Sequence, residues 1–152
     1  MDDIDRKILS LLQTDTGLAL ADIADRVGLS TTPCWRRIQN LEKSGVIRAR
    51  VALLHAAKVN LGVTVFVRIR TGRHDSEWLQ QFARAVEDIP EIVEVYRMSG
   101  EIDYVLKVVV PDIASYDAIY KRLIDAVPMM DVSSNFAMEE IKLTTALPLT
   151  YA

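Results

Sequence analysis

The apolar residues of this chain repeat with two different periods, and the change between them divides it. In DDIDRKILSLLQ (2–13), Ile4, Ile8, Leu11 and Leu12 share one helical face, with aspartates in the first turn where the helix dipole favours them. ALADIADRVG (19–28) predicts a second short helix with Ile23, Ala24 and Val27 inward, and Gly28 can take the positive φ of a helix C-terminus. Ser30 is a good N-cap for a third helix, Pro33 fits its first turn, and Gly45 closes it. From residue 63 the period falls to two.

VTVFVRIRT (63–71), EIVEVYRM (91–98), YVLKVVV (104–110) and SSNFAMEEIKL (133–143) read as strands. SEWLQQFARAVEDI (76–89) and DIASYDAIYKRLIDAV (112–127) read as helices, each ended by a proline. The order β-α-β-β-α-β predicts a ferredoxin-like antiparallel sheet with helices on one face. Residues 46–62 bridge the halves, with VIRARVALL (46–54) expected to be an extended hinge strand. The expectation is an α+β chain with a helix-turn-helix over 1–48, a hinge over 49–62 and a βαββαβ domain over 63–152. The uncovered sheet face would carry Phe66, Val105, Val109 and Ala137 or their alternating neighbours. Such a face usually finds a partner, most simply in a two-fold homodimer.

The net charge of −3 argues against a polyanion as partner until it is split along the chain. Residues 1–25 hold two basic against six acidic residues, a net of −4. Residues 26–50 hold six basic residues against Glu42 alone, a net of +5. Local sign governs docking onto a polyanion. Within that segment, Cys34, Ile38 and Leu41 form one stripe of the third helix, while Thr32, Trp35, Arg36, Gln39 and Lys43 gather opposite it. Arg offers a bidentate fork to guanine, Gln can bridge adenine, and Thr can touch phosphate or a thymine methyl. A short helix, a tight turn at Gly28 and a Ser-capped helix make a helix-turn-helix whose second member enters the major groove of double-stranded DNA. Ser30 and Thr31 at the helix start are also expected at the DNA, and Arg48 and Arg50 after the helix are placed for flanking phosphates. Arg37 flanks the buried stripe, and both a structural ion pair with an aspartate of the first two helices and a phosphate contact fit it. For Trp35 the bland alternative is packing under the second domain; for Arg36 and Lys43 it is a merely solvated face.

Other functions find little support. The two histidines, His55 and His74, lie in or near connecting segments, and no Ser-His-Asp, metal-ligand or Gly-rich phosphate pattern occurs, so no enzyme, cofactor or metal is expected. No apolar run approaches the roughly 20 residues of a membrane span. Cys34, alone, excludes an intramolecular disulfide and fits a reducing cytoplasm.

Taken in order, DRKILSLLQ, LADIADRVGLSTTPCWRRIQNLEKSGVI, SGEIDYVLKVVVPD and FAMEEIKLTTALPL resemble the Lrp/AsnC family of transcription regulators across essentially the whole chain. The resemblance implies a winged helix-turn-helix, a hinge strand and a ligand-sensing βαββαβ domain. It also implies an amino-acid effector and dimers that assemble further, often to octamers. The family's signature turn is Gly-x-x-Asp followed by an aromatic, here Gly100, Asp103 and Tyr104. Asp103, with Glu101, would pair with the effector's ammonium. Amides around Gly100 and the hydroxyls of Ser133 and Ser134, with Asn135 beside them, would take its carboxylate. The plain alternative is a hairpin turn in which Gly supplies positive φ and Asp a cap. This chain departs from the family at Arg50, often Tyr, at Ala56-Ala57, often Asp-Pro, and at Met129-Met130 after Pro128, often Gly-Val. The two methionines would suit a flexible apolar effector pocket, as for leucine or methionine. An architectural DNA-binding protein with no effector also fits the sequence.

Overall fold

The computed structural model describes residues 1–152. It forms two compact units: Met1–Leu53 together with Ile141–Ala152, and Leu54–Glu140.

The first unit is three helices around a small core. α1 (Asp3–Thr14) starts at a reciprocal cap: the Asp5 amide donates to Asp2 Oδ1 at 2.9 Å and the Asp2 amide to Asp5 Oδ2 at 3.2 Å. Two amides that a helix start leaves unpaired are thereby satisfied. α2 (Leu20–Val27) ends at Gly28, whose φ of 73° is reached most readily by glycine. The turn is closed by the Leu29 amide donating to the Ala24 carbonyl at 2.9 Å. α3 (Thr31–Lys43) follows, with Ser30 at its N-cap position and Gly45 at φ 76° beyond its end. Ile8, Leu12, Ile23, Ala24, Val27, Cys34, Ile38 and Leu41 form the core.

The C-terminal tail returns to this unit. Gln13 donates to the Leu147 carbonyl at 3.1 Å and accepts from the Leu147 amide at 2.6 Å, and Leu149 packs against the core. Arg6 donates to the Ala152 carbonyl at 2.6 Å.

The second unit is an antiparallel sheet in the order β2-β3-β1-β4, built from β1 (Val63–Arg70), β2 (Ile92–Arg97), β3 (Tyr104–Val110) and β4 (Asp131–Phe136). α4 (Ser76–Glu87) and α5 (Ile113–Ala126) complete the β-α-β-β-α-β order. Asp75 and Asp112 cap these helices by accepting from the Trp78 and Ser115 amides. Val65, Val67 and Ile69 of β1 and Leu106, Val108 and Val110 of β3 point at Trp78, Phe82, Tyr116, Ile119 and Leu123, forming one core. The Trp78 indole N–H donates to the Pro128 carbonyl at 2.7 Å, which fixes the end of α5 against the start of α4. On the other face Phe66 is exposed and Val105 and Val109 are half-buried, as the alternation requires.

One expected strand is absent and another is cut short. Residues 46–54 hold no strand, and β4 stops at Phe136 instead of running to residue 143. A strand needs a partner for its backbone groups. Val65 opposes Phe136, the Ala137 amide donates to the Thr64 carbonyl, and β1 begins at Val63, so the template ends there. Ile141 and everything after it belong to the first unit, whereas the sequence reading carried the second domain to residue 152.

Gln13→Ala removes both side-chain bonds to the tail, and a solvated pair of this kind is worth about 1 kcal/mol. Urea unfolding of the first unit should fall by about that amount, and limited proteolysis should cut residues 141–152 faster.

Candidate nucleic-acid interface and effector site

The two sides of α3 have opposite characters. Cys34, Ile38 and Leu41 are buried, while Thr31, Thr32, Trp35, Arg36 and Lys43 are exposed and Gln39 is half-buried. Trp35 keeps 52% of its surface exposed, which a tryptophan does at large cost unless it meets a partner. Arg36, Lys43 and Arg48 make no ion pair within the chain. Ser30 occupies the N-cap position, yet its hydroxyl makes no cap bond, so the first amides of α3 lack a side-chain acceptor. Burial pushes the Cys34 thiol pKa up, which fits a small core side chain and not a nucleophile.

Two arginines of the basic segment are engaged within the unit: Arg37 takes the ion pair that was one of its two readings, and Arg50, expected at a phosphate, is held by an acid. Arg37 reaches Asp2 Oδ2 at 2.7 Å and Asp5 Oδ1 at 2.8 Å, tying α3 to the capped start of α1. The Asp5 amide and then the Arg37 guanidinium hold the Asp2 carboxyl below its usual range. Arg50 grips Glu42 Oε1 with Nε at 3.1 Å and Nη2 at 2.8 Å, while Gln39 donates to Glu42 Oε2 at 2.8 Å. Glu42, the lone acid of the basic segment, thus orients Gln39 and neutralises Arg50. The sequence offered no signal for the Gln39 contact beyond the three-residue spacing.

In the second unit the structure separates the residues expected around the effector. Gly100 takes φ 110° in the turn between β2 and β3. Asp103 Oδ2 accepts from the Thr71 amide at 2.8 Å, and Oδ1 lies 3.8 Å from His74 Nε2, so this carboxylate already holds the end of β1. Tyr104 is buried against Trp78 and Phe82, with ring centroids 5.6 and 4.8 Å apart, because β3's alternation turns it to the helix face. Ser133 and Ser134 point to opposite faces: Ser134 shares a hydrogen bond with the Tyr116 hydroxyl, whereas Ser133 accepts from Arg68 Nη2 at 3.3 Å. Asn135 is exposed opposite Phe66. Met129 packs against the core and Met130 is exposed, so the two methionines form no common pocket.

A depression of about 470 Å³ opens beside the turn, lined by Arg68, Arg70, Glu101, Ile102, Asp131 and Ser133. Glu101 and Ser133 were expected there. Arg68, Arg70 and Asp131 were missed, although the period-two rhythm of VFVRIR already places both arginines on the face opposite Val67 and Ile69.

Residues 64–147 match the Lrp/AsnC ligand binding domain, and residues 1–48 match a winged helix-turn-helix DNA-binding domain. The chain belongs to the Lrp/AsnC family of transcription regulators. It is 49% identical over 150 residues to the DNA-binding transcriptional activator DecR of Escherichia coli, spanning 98% of this chain and 99% of that protein. An AsnC family transcriptional regulator from Agrobacterium tumefaciens has the same fold with a TM-score of 0.95 at 64% identity, over 99% of both chains. A transcriptional regulator from Neisseria meningitidis, solved as a complex with L-Met, gives a TM-score of 0.94 at 35% identity, over 99% of this chain and 98% of that one. These relatives carry names of regulators and not of enzymes. For this Lrp/AsnC chain the exposed side of α3 is therefore the candidate DNA interface, and the depression beside Gly100 is the candidate ligand site.

Because Asp2 is held below its usual pKa, its contribution to the α1–α3 tie is present above the unfolded value of about 3.9 and is lost as pH falls through the lower folded value. The thermal midpoint of the first unit should drop on acidification below about pH 4. Asp2→Asn should lower it at neutral pH and flatten the acid limb.

Proposed function

We propose that this Lrp/AsnC regulator reads the major groove with Thr32, Trp35, Arg36 and Gln39, that Ser30, Thr31, Lys43 and Arg48 hold phosphates, and that an amino acid bound by the second unit tunes its assembly or DNA binding. The observation that carries the reading is a half-exposed Trp35 beside an unpaired Arg36, on a helix whose opposite stripe closes the core. The free first-turn amides of α3 add an anion site to that surface. Arg37 and Arg50 take a different part from the one their charge suggests. Arg37 positions α3 through Asp2 and Asp5, and Arg50 positions Gln39 through Glu42.

The regulator acts as a homodimer that assembles further, to an octamer, and it works in the cytoplasm. The support for association is the open sheet face, where exposed Phe66 and Tyr96 flank half-buried Val105 and Val109. The L-Met complex of the neisserial relative supports an amino acid as effector.

Gel shifts on a DNA site selected from random sequence test the assignment. Arg36→Ala should weaken that site by about 1–3 kcal/mol and leave random DNA little changed. Arg48→Ala should weaken both alike and reduce the salt slope by about one. Equal losses from the two substitutions would remove Arg36 from base reading.

A further inference from the structure

Both carboxylate oxygens of Glu42 are occupied. Arg50 donates to Oε1 from Nε at 3.1 Å and from Nη2 at 2.8 Å, and Gln39 Nε2 donates to Oε2 at 2.8 Å. The three side chains line one depression of about 340 Å³, which Trp35 and Ile23 also border. A glutamine amide can ordinarily turn over, presenting either its oxygen or its amino end to a partner. Here it cannot, because a carboxylate only accepts, so the end that meets Glu42 must be the amino end. Glu42 in turn is held by a guanidinium, which only donates. Three residues apart on α3, Gln39 and Glu42 are neighbours on the helix surface, so their contact needs no other element to create it.

Resting on the reading that Gln39 faces the major groove, we infer that Glu42 is a positioning residue that sets base specificity: it fixes Gln39 to read adenine and to refuse guanine. With one N–H given to Glu42, Gln39 keeps one N–H and the lone pairs of Oε1 for a base edge. Guanine presents two acceptors in the major groove, N7 and O6, so Oε1 would meet a lone pair there. Thymine presents the O4 acceptor and a methyl group, and cytosine only the N4 donor. Adenine alone sets an acceptor, N7, beside a donor, N6–H2, and takes both groups that Gln39 has left. Without Glu42 the amide could turn its amino end to guanine. An acceptor pressed against an acceptor at a closed interface loses its water and gains no bond, which gives the discrimination its size. Glu42 touches no base in this scheme; it acts through Gln39, and Arg50 acts through Glu42.

Sites selected from random DNA by the full chain test this, the position read by Gln39 being the one whose base preference Gln39→Ala erases. At that position adenine should be favoured over guanine by about tenfold or more. Glu42→Gln keeps the shape of the side chain, but Arg50 claims the oxygen of the new amide and leaves its amino end towards Gln39. Gln39 then turns its oxygen inward and its N–H groups outward. The preference should move by about tenfold or more towards guanine, with an unchanged circular dichroism spectrum. The ratio between two versions of one site is blind to the lost charge, which strengthens binding to all DNA alike. A wild-type preference for a base other than adenine at that position, or an adenine preference that Glu42→Gln leaves unchanged, overturns the role of Glu42 and leaves Gln39 at the bases. Base preferences untouched by Gln39→Ala at every position overturn both.

Discussion

β1 can satisfy its two faces only in different ways, and much of the second unit follows from that. Its odd residues, Val65, Val67 and Ile69, are sealed under α4 and α5, so its even residues, Phe66, Arg68 and Arg70, must face the other side. A one-residue slip would bury two guanidiniums and expose three core residues, so the register with β3 and β4 is strongly determined. The same pleat separates Ser133 from Ser134, sends Tyr104 into the aromatic cluster, and gathers Arg68, Arg70, Asp131 and Ser133 at one end of the open face. The candidate ligand site is in this sense a by-product of core packing. The charged residues share a face because their neighbours had to share the other.

In the first unit a comparable economy governs the basic surface. The stretch from Arg26 to Arg50 carries its positive charge in two forms. Arg37 and Arg50 are bound by carboxylates of the same unit, and they set the positions of α3 and Gln39. Arg26, Arg36, Lys43 and Arg48 are left without partners and face solvent. Charge that is already paired contributes little to a field felt by a polyanion, whereas unpaired charge beside open helix amides contributes fully. The division of labour also explains why an acid, Glu42, belongs in a basic segment.

The helices and strands were largely legible in the sequence, and so was the family. Periodicity found α1 to α5 and β1 to β3, because amphipathic faces are written in residue spacing. It misjudged 46–54 and 137–143, whose composition suits a strand but which meet no strand partner. Of the candidate ligand site, the turn at Gly100 and Glu101 were legible through the family pattern. Arg68 and Arg70 were written just as plainly in VFVRIR, but their face acquires a meaning only once Glu101 and Asp131 are known to lie beside it. Helical spacing set Arg37 apart from Arg36 and offered it an ion pair with an aspartate of the first two helices, but which aspartates hold it, more than thirty residues away, and the grip of Glu42 on Arg50 were beyond local reading.

What the sequence alone determined is therefore the set of elements, their buried faces and the family, since each rests on local periodicity or on contiguous motifs. What only the tertiary structure decided is which charges are spent inside the molecule and which remain for a partner. It also decided that the last twelve residues belong to the helical unit. Ion pairs, cavities and tail docking join residues far apart in the chain, and their energies exist only when folding has brought those residues within a few ångströms.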